Sequence, residues 1–204
     1  MGQRSQIYIR YKDKKGIQLI ARYFGWNYGE RMVSRTRGII EWLDEYKDSF
    51  EWLFNDNTKM LALQRVCDVN FDMRDVLIST CIKEEIREQF PEEVEHEGLA
   101  SYLFGQDNND GQLLIDVSSG TIKYAFIPYY TEAEKVMSAS TYMEWNRGKS
   151  WHAEFERRES LKEAADYTLK NIRYISNHAR LMTAKEVAEF LAYDYTCAVF
   201  GYPF

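Results

Sequence analysis

Residues 5–12 read SQIYIRYK, so Ile7 and Ile9 fall on one side of an extended chain while Tyr8 and Arg10 fall on the other. A period of two predicts a half-buried strand. Asp13-Lys14-Lys15-Gly16 follows as a polar turn ending in glycine, and residues 17–24, IQLIARYF, supply a second strand, so the two are expected to pair as an antiparallel hairpin. The pattern recurs in the second half of the chain. Residues 112–118, QLLIDVS, read as a strand, Ser119-Gly120 as a two-residue turn, and residues 121–127, TIKYAFI, as the partner strand stopped by Pro128. Helical patterns follow each hairpin, which predicts an α+β fold with antiparallel hairpins each followed by helices, arranged as two lobes.

Between the hairpins, Gly25-Trp26-Asn27-Tyr28-Gly29 is a break with glycine at each end. A helix is predicted from Glu30 to about Tyr46, with Met32, Ile39, Ile40 and Leu43 on its apolar side and Gly38 weakening its middle by up to about 1 kcal/mol. Residues 47–64 continue as helix pieces with Phe50, Leu53 and Phe54 directed at the core. Leu61 to Phe71 suits a strand or a helix, and residues 72–90 suit a helix carrying Val76, Leu77, Ile82 and Ile86. Pro91 ends that helix. The acidic stretch Glu92 to Gly98 is the expected connector between a basic N-terminal unit, 1–91, and a C-terminal unit, 99–204. Four Ser/Thr-x-x-Glu starts appear, at Thr131, Thr141, Ser160 and Thr183. The last is the best helix start, because Val187, Phe190 and Leu191 follow it at helical spacing.

The 204 residues correspond to one or two domains, and 45% hydrophobic with 15% aromatic side chains gives them enough to bury. No apolar run reaches the roughly 18–20 residues that span a membrane, and the start lacks the apolar core of a secretory signal. Cys67, Cys81 and Cys197 are too scattered for a disulfide scaffold or a zinc site. These features suggest a cytoplasmic protein without membrane partners.

Charge is distributed unevenly. Residues 1–38 hold nine basic and two acidic side chains, a balance of +7, against 17 basic and 30 acidic in the remainder, a balance of −13. Such asymmetry suits a polyanion site or a charged protein partner. Arg4, Arg10, Arg22, Tyr28, Arg31 and Arg35 are the candidate RNA-binding residues. They lie among further aromatics at Tyr8, Tyr11, Tyr23, Phe24 and Trp26, and arginine grips phosphate while ring faces stack bases. Arg31 and Arg35, four apart, are expected on one helix face. The same composition also suits a twisted sheet whose aromatics form core and whose arginines snorkel or pair with acids.

Catalytic chemistry is harder to place. His96, His152 and His178 are dispersed, and no phosphate-cradling G-x-x-x-x-G-K loop or G-x-S-x-G elbow is present. Asp68, Asn70, Asp72 and Asp75 begin like a calcium loop, but Met73 and Ser79 stand where the glycine and the bidentate glutamate belong. Asp107, Asp110 and Asp116 flank a strand as carboxylates do in nucleases that hold Mg²⁺, which makes them the candidate metal ligands and Mg²⁺ the one cofactor considered. Asn108-Asn109-Asp110-Gly111 is equally ordinary turn chemistry.

Taken together, Gly2-Gln-Arg-Ser-Gln-Ile-Tyr8, Gly25-Trp-Asn-Tyr-Gly-Glu-Arg31, Leu63-Gln-Arg-Val-Cys-Asp-Val-Asn-Phe-Asp72, Asn109-Asp-Gly-Gln-Leu-Leu-Ile-Asp116 and Asn177-His-Ala-Arg-Leu-Met-Thr183 resemble small proteins carried by phages and plasmids of Gram-positive bacteria. Some of those are anti-CRISPR inhibitors of type II-A Cas9, including members implicated in shortening the guide RNA. The resemblance implies a mobile-element inhibitor whose partner is Cas9 with its guide RNA, and it transfers no catalytic motif and no small-molecule substrate. A positively charged ribonucleoprotein channel would attract an acidic body while a basic segment meets the RNA. The alternatives are a metal-dependent ribonuclease acting on other RNA through Asp107, Asp110 or Asp116, and a non-catalytic module for another host factor.

Overall fold

The structure is a computed structural model that describes residues 3–25, 27–56, 58–59 and 109–193. Its centre is a five-stranded mixed sheet in the order β2-β1-β3-β4-β5, and the fold is α+β. Strands β1 (Arg4–Asp13) and β2 (Gly16–Gly25) form the first hairpin, paired in full from Arg4↔Gly25 to Asp13↔Gly16. Gly16 closes the turn at φ 119°, a conformation that side-chain-bearing residues rarely adopt. Strands β3 (Gln112–Asp116) and β4 (Lys123–Ile127) form the second hairpin. Its connection runs from 117 to 122, longer than the two-residue Ser119-Gly120 turn expected, because the ladder stops at Asp116↔Lys123.

The two hairpins share one sheet. β1 pairs with β3 in parallel, from Gln6↔Gln112 to Arg10↔Asp116, so residues from both expected lobes are hydrogen-bonded edge to edge. A two-residue strand β5 (Arg180–Leu181) adds parallel to β4 at the edge. The connector expected at 92–98 lies outside the described residues, as do the expected elements at 61–71 and 72–90.

Helices cover both faces of this sheet. On one face, Ile7, Ile9, Ile20, Phe24, Leu113, Ile115, Tyr124 and Phe126 pack against α1 (Glu30–Asp44), α2 (Phe50–Leu53), α3 (Ala139–Arg147), α4 (Trp151–Glu156) and α5 (Lys162–His178). On the other, Tyr8, Leu19, Ala21, Leu114, Ala125 and Ile127 pack against Met182 and, from α6 (Ala184–Ala192), Val187 and Phe190. Strand β1 is therefore buried on both sides and not half-buried: Ser5 through Ile9 are all inaccessible. Its position between β2 and β3, under helices on either side, overrides the simple alternation of its sequence.

Met32, Ile39, Ile40 and Leu43 of α1 are fully buried, as the helical spacing predicts. Each apolar side chain of that size contributes about 1.5–3 kcal/mol on burial. Of the four Ser/Thr-x-x-Glu starts, Thr183 with Glu186 forms the reciprocal capping box at α6. Ser138 caps α3 in place of Thr141, and α5 begins without a side-chain cap near Ser160. Thr131 lies in a short 3-10 turn, Tyr130–Glu132. No helix among the described residues is long and apolar enough to cross a membrane.

Candidate functional site

Several basic residues of the N-terminal segment lie at the two ends of β1, among them Arg4 at its start and Lys12 near its finish. At its start, Asp110 ties the strand down: the Arg4 amide donates to Asp110 Oδ2 at 2.7 Å, and the Asp110 amide donates to the Arg4 carbonyl at 2.9 Å. Burial pushes the Asp110 carboxyl up, and hydrogen bonds from the Arg4 amide and Asn146 offset only part of that. The Tyr142 hydroxyl of α3 donates to the Asp110 carbonyl at 2.9 Å and accepts from the Gly29 amide at 3.2 Å. Burial holds that hydroxyl far above the usual phenol range.

Tyr28 and Arg31 join Arg4 at this end. Arg147 lies over the Tyr28 ring at 4.6 Å and grips Glu30 of α1 with Nε at 3.1 Å and Nη2 at 2.8 Å. The clamp depends on Gly29, whose φ of 54° is left-handed and whose Cβ, if present, would stand 2.5 Å from Arg147 Nε. Beside this clamp Trp145 is 42% exposed and tilted against Tyr142.

Arg35 does not share an exposed face with Arg31. It is wholly buried, with its guanidinium over the Phe24 ring at 4.4 Å and Nε donating to Asn27 Oδ1 at 3.1 Å. The Asn27 amide in turn donates to Ser5 Oγ at 3.1 Å. A helix whose inner face meets the aromatic Phe24 turns one arginine inward as packing, so Arg35 has no surface on which to meet RNA. Arg22 stands on β2 opposite Ile7.

Arg10 is likewise engaged inside the fold. The register lines up Arg10, Asp116, Lys123 and Arg180 across β1, β3, β4 and β5, and α6 lies over this row. Arg10 Nη2 meets Asp116 Oδ2 at 2.6 Å, with its guanidinium 4.7 Å above the Phe190 ring. Burial pushes the Asp116 carboxyl up, but Arg10 and the hydroxyl and amide of Ser118 outweigh it and hold it below the usual range. Glu186 of α6 takes Lys123 at 3.2 Å and also pairs with Arg180. Those partners and the Thr183 amide hold its carboxyl far below the usual range.

Asp116 is the last residue of β3 and Asp110 precedes its first by two, so the length of a five-residue strand, about 15 Å, lies between them. One Mg²⁺ cannot bridge them, and each already serves a structural partner. Asp107 lies outside the described residues. Among the described residues, no group of three or more His, Cys, Asp or Glu is placed to hold a metal. His178 Nδ1 is 2.8 Å from Asp44 Oδ2 and stacks on Tyr174, an arrangement that joins the C-terminal ends of α5 and α1. His152 is exposed beside Trp151, and His96 lies outside the described residues.

At the finish of β1 the cations remain outside. Lys12, Lys14 and Lys15 are all exposed at the hairpin tip. The turn beneath them is built: Asp13 Oδ1 accepts from the Lys15 amide at 2.7 Å, and Asn55 Oδ1 accepts from the Lys14 amide at 3.1 Å. Between this tip, α2 and the 117–122 loop lies a cleft of about 510 Å³, lined by Lys12, Asp13, Lys14, Phe50, Glu51, Phe54, Asn55, Val117, Ser118 and Gly120. It opens at the carboxyl ends of the parallel strands β1 and β3, where open sheets with helices on both faces commonly hold ligands.

Sequence reasoning named the arginines and passed over these lysines. The distinguishing signal was their position on a turn: an ammonium is strongly hydrated and stays in water, whereas a guanidinium stacks and pairs inside. Arg147 was also missed, because only the fold brings α3 to the start of α1. Compared with known proteins, the chain matches no family model, no curated protein and no solved structure.

Proposed function

We propose that the protein is an inhibitor from a mobile genetic element that engages type II-A Cas9 with its guide RNA, and that the β1–β2 tip is its RNA-facing element. The observation that carries this reading is the exposure of Lys12, Lys14 and Lys15 together on a braced turn. A cluster of hydrated ammonium groups suits a phosphate backbone, which is recognised mainly by charge and position. The resemblance of the quoted segments to proteins of Gram-positive phages and plasmids supplies the partner. The acidic excess elsewhere in the chain suits a positively charged protein channel.

The test incubates the protein with Cas9 and guide RNA, adds target DNA, and follows both nucleic acids on gels with and without EDTA. Blocked DNA cleavage with intact guide supports an inhibitor that binds. Shortened guide that EDTA prevents places metal-dependent cutting within the same reading. Unchanged DNA cleavage and unchanged guide overturn it. The triple variant K12A/K14A/K15A is expected to lose at least about tenfold in inhibition, while K162A/K170A on the exposed side of α5 keeps it.

A further inference from the structure

The cleft at the end of β1 has a lining of mixed sign. The strand end contributes Lys12, Asp13 and Lys14 to the lining, and the helix across from it contributes Glu51 with Phe50, and Phe54 follows it. A bare anion would meet two carboxylates there, and a plain hydrophobe would meet four charges. The lining suits a ligand with a negative end, a flat apolar body and an amino group that donates hydrogen bonds. A nucleoside phosphate has those three parts. Its volume requirement also fits, since about 510 Å³ lies within the usual range of small-ligand pockets.

The two carboxylates are not equivalent. Asp13 Oδ1 already accepts from the Lys15 amide and from the Gln18 side chain. The Glu51 carboxylate makes no hydrogen bond or ion pair among the described residues, although its backbone carbonyl accepts from Asn55 at 2.6 Å. That bond, together with the bond from the Lys14 amide to Asn55, ties the helix bearing Glu51 to the strand end bearing the lysines. The two walls are thereby fixed relative to each other before any ligand arrives.

We propose that this cleft binds a single nucleotide with its phosphate on Lys12 and Lys14 and the amino group of its base on Glu51. Carboxylates accept from such amino groups, as they do from the N4 group of cytosine. Uracil has no exocyclic amine and is the discriminated base. Where the nucleotide belongs to an RNA chain, the inference rests on the reading above and names the part of the RNA that the tip holds. Lys15, just outside the cleft, is then placed for a neighbouring phosphate.

The experiment titrates ¹⁵N-labelled full-length protein with cytidine monophosphate, uridine monophosphate, cytidine and inorganic phosphate, and follows amide shifts by NMR. Shifts at residues 12–14, 51–55 and 117–120 are expected with cytidine monophosphate, which should bind about tenfold tighter than uridine monophosphate or phosphate alone. E51Q should narrow the gap between the two nucleotides, and K12A/K14A should weaken both by at least about tenfold. Equal binding of phosphate and both nucleotides, or shifts confined to other residues, overturns the inference. A short single-stranded RNA ending in cytidine phosphate separates the two sources: tighter binding than the mononucleotide assigns the cleft to RNA, and equal binding assigns it to a free nucleotide. Nucleotide binding without Cas9 inhibition removes the proposed function and leaves the cleft. Cas9 inhibition without nucleotide binding removes the cleft and leaves the function.

Discussion

At the start of β1, Arg35 and Arg147 are each held by a ring and by oxygen acceptors, Arg35 by Phe24 and Asn27 and Arg147 by Tyr28 and Glu30. At its finish, Lys12, Lys14 and Lys15 are exposed around a turn whose backbone amides donate to the side chains of Asp13 and Asn55. In sequence, Arg35 and the three lysines contribute to the same basic excess over residues 1–38. In the fold the arginines are mortar between elements and the lysines are surface. A count of positive charge therefore does not locate a polyanion site. The guanidinium is planar, weakly hydrated and able to stack, so it enters interiors that an ammonium avoids.

The division between these two groups is most exposed to failure at Arg35. R35A removes a buried side chain from between Phe24 and Asn27 and leaves Asn27 Oδ1 without its Nε donor. The expected loss is about 3 kcal/mol or more, read by urea unfolding. A loss below about 1 kcal/mol would show that Arg35 is not packed as described. D116N removes the charge of the buried carboxylate that pairs with Arg10 and is expected to cost about 3 kcal/mol.

The two aspartates of β3 extend the contrast to pH. Asp116 is held below the usual carboxylate range in the folded state. Its contribution is present above the unfolded value of about 3.9 and is lost as pH falls through its lower folded value. Asp110 is shifted the other way. The folded state then binds its proton more tightly than the unfolded one, so its contribution is present below about 3.9 and is lost as pH rises through the raised folded value. Urea midpoints measured across the acid range should therefore respond in opposite directions: D116N flattens the loss of stability on acidification, and D110N removes a partly compensating gain.

A smaller effect tests the Arg147 clamp. G29A places a methyl group against Arg147 Nε at a left-handed φ, and both the strain and the displaced clamp oppose it. The expected cost is about 1–3 kcal/mol. T183A at the capping box of α6 should cost about 1 kcal/mol, measured the same way.

Much of the fold was legible because local signals agreed with the tertiary arrangement. Asp13 to Gly16 has turn chemistry between two β-rich runs, and α1 places Met32, Ile39, Ile40 and Leu43 at helical spacing. Thr183 and Glu186 carry a reciprocal cap that needs no distant partner. What was not legible depended on long-range pairing. Nothing near residue 7 says that Leu113 will lie beside it in parallel, so the union of the hairpins and the double burial of β1 were hidden. The site was obscured for the same reason. Arg10 finds Asp116 only through that pairing, and Arg35 turns inward only because Phe24 is there to receive it.

The smallest stability effect belongs to the tip, and it separates the two groups of cations most cleanly. Lys12, Lys14 and Lys15 are exposed, and the hydrogen bonds that brace the turn come from backbone amides that alanine retains. K12A/K14A/K15A should therefore unfold within about 0.5 kcal/mol of the parent chain. Its binding to single-stranded RNA should nevertheless weaken, with a salt dependence shallower by about 0.7 for each phosphate that is no longer neutralised. An interior arginine behaves in reverse: R35A lowers stability and, in the fraction that remains folded, leaves the salt slope unchanged. If both variants alter the slope equally, the division between packing arginines and surface lysines is wrong, and the RNA-binding surface must be sought at the start of β1 beside Trp145.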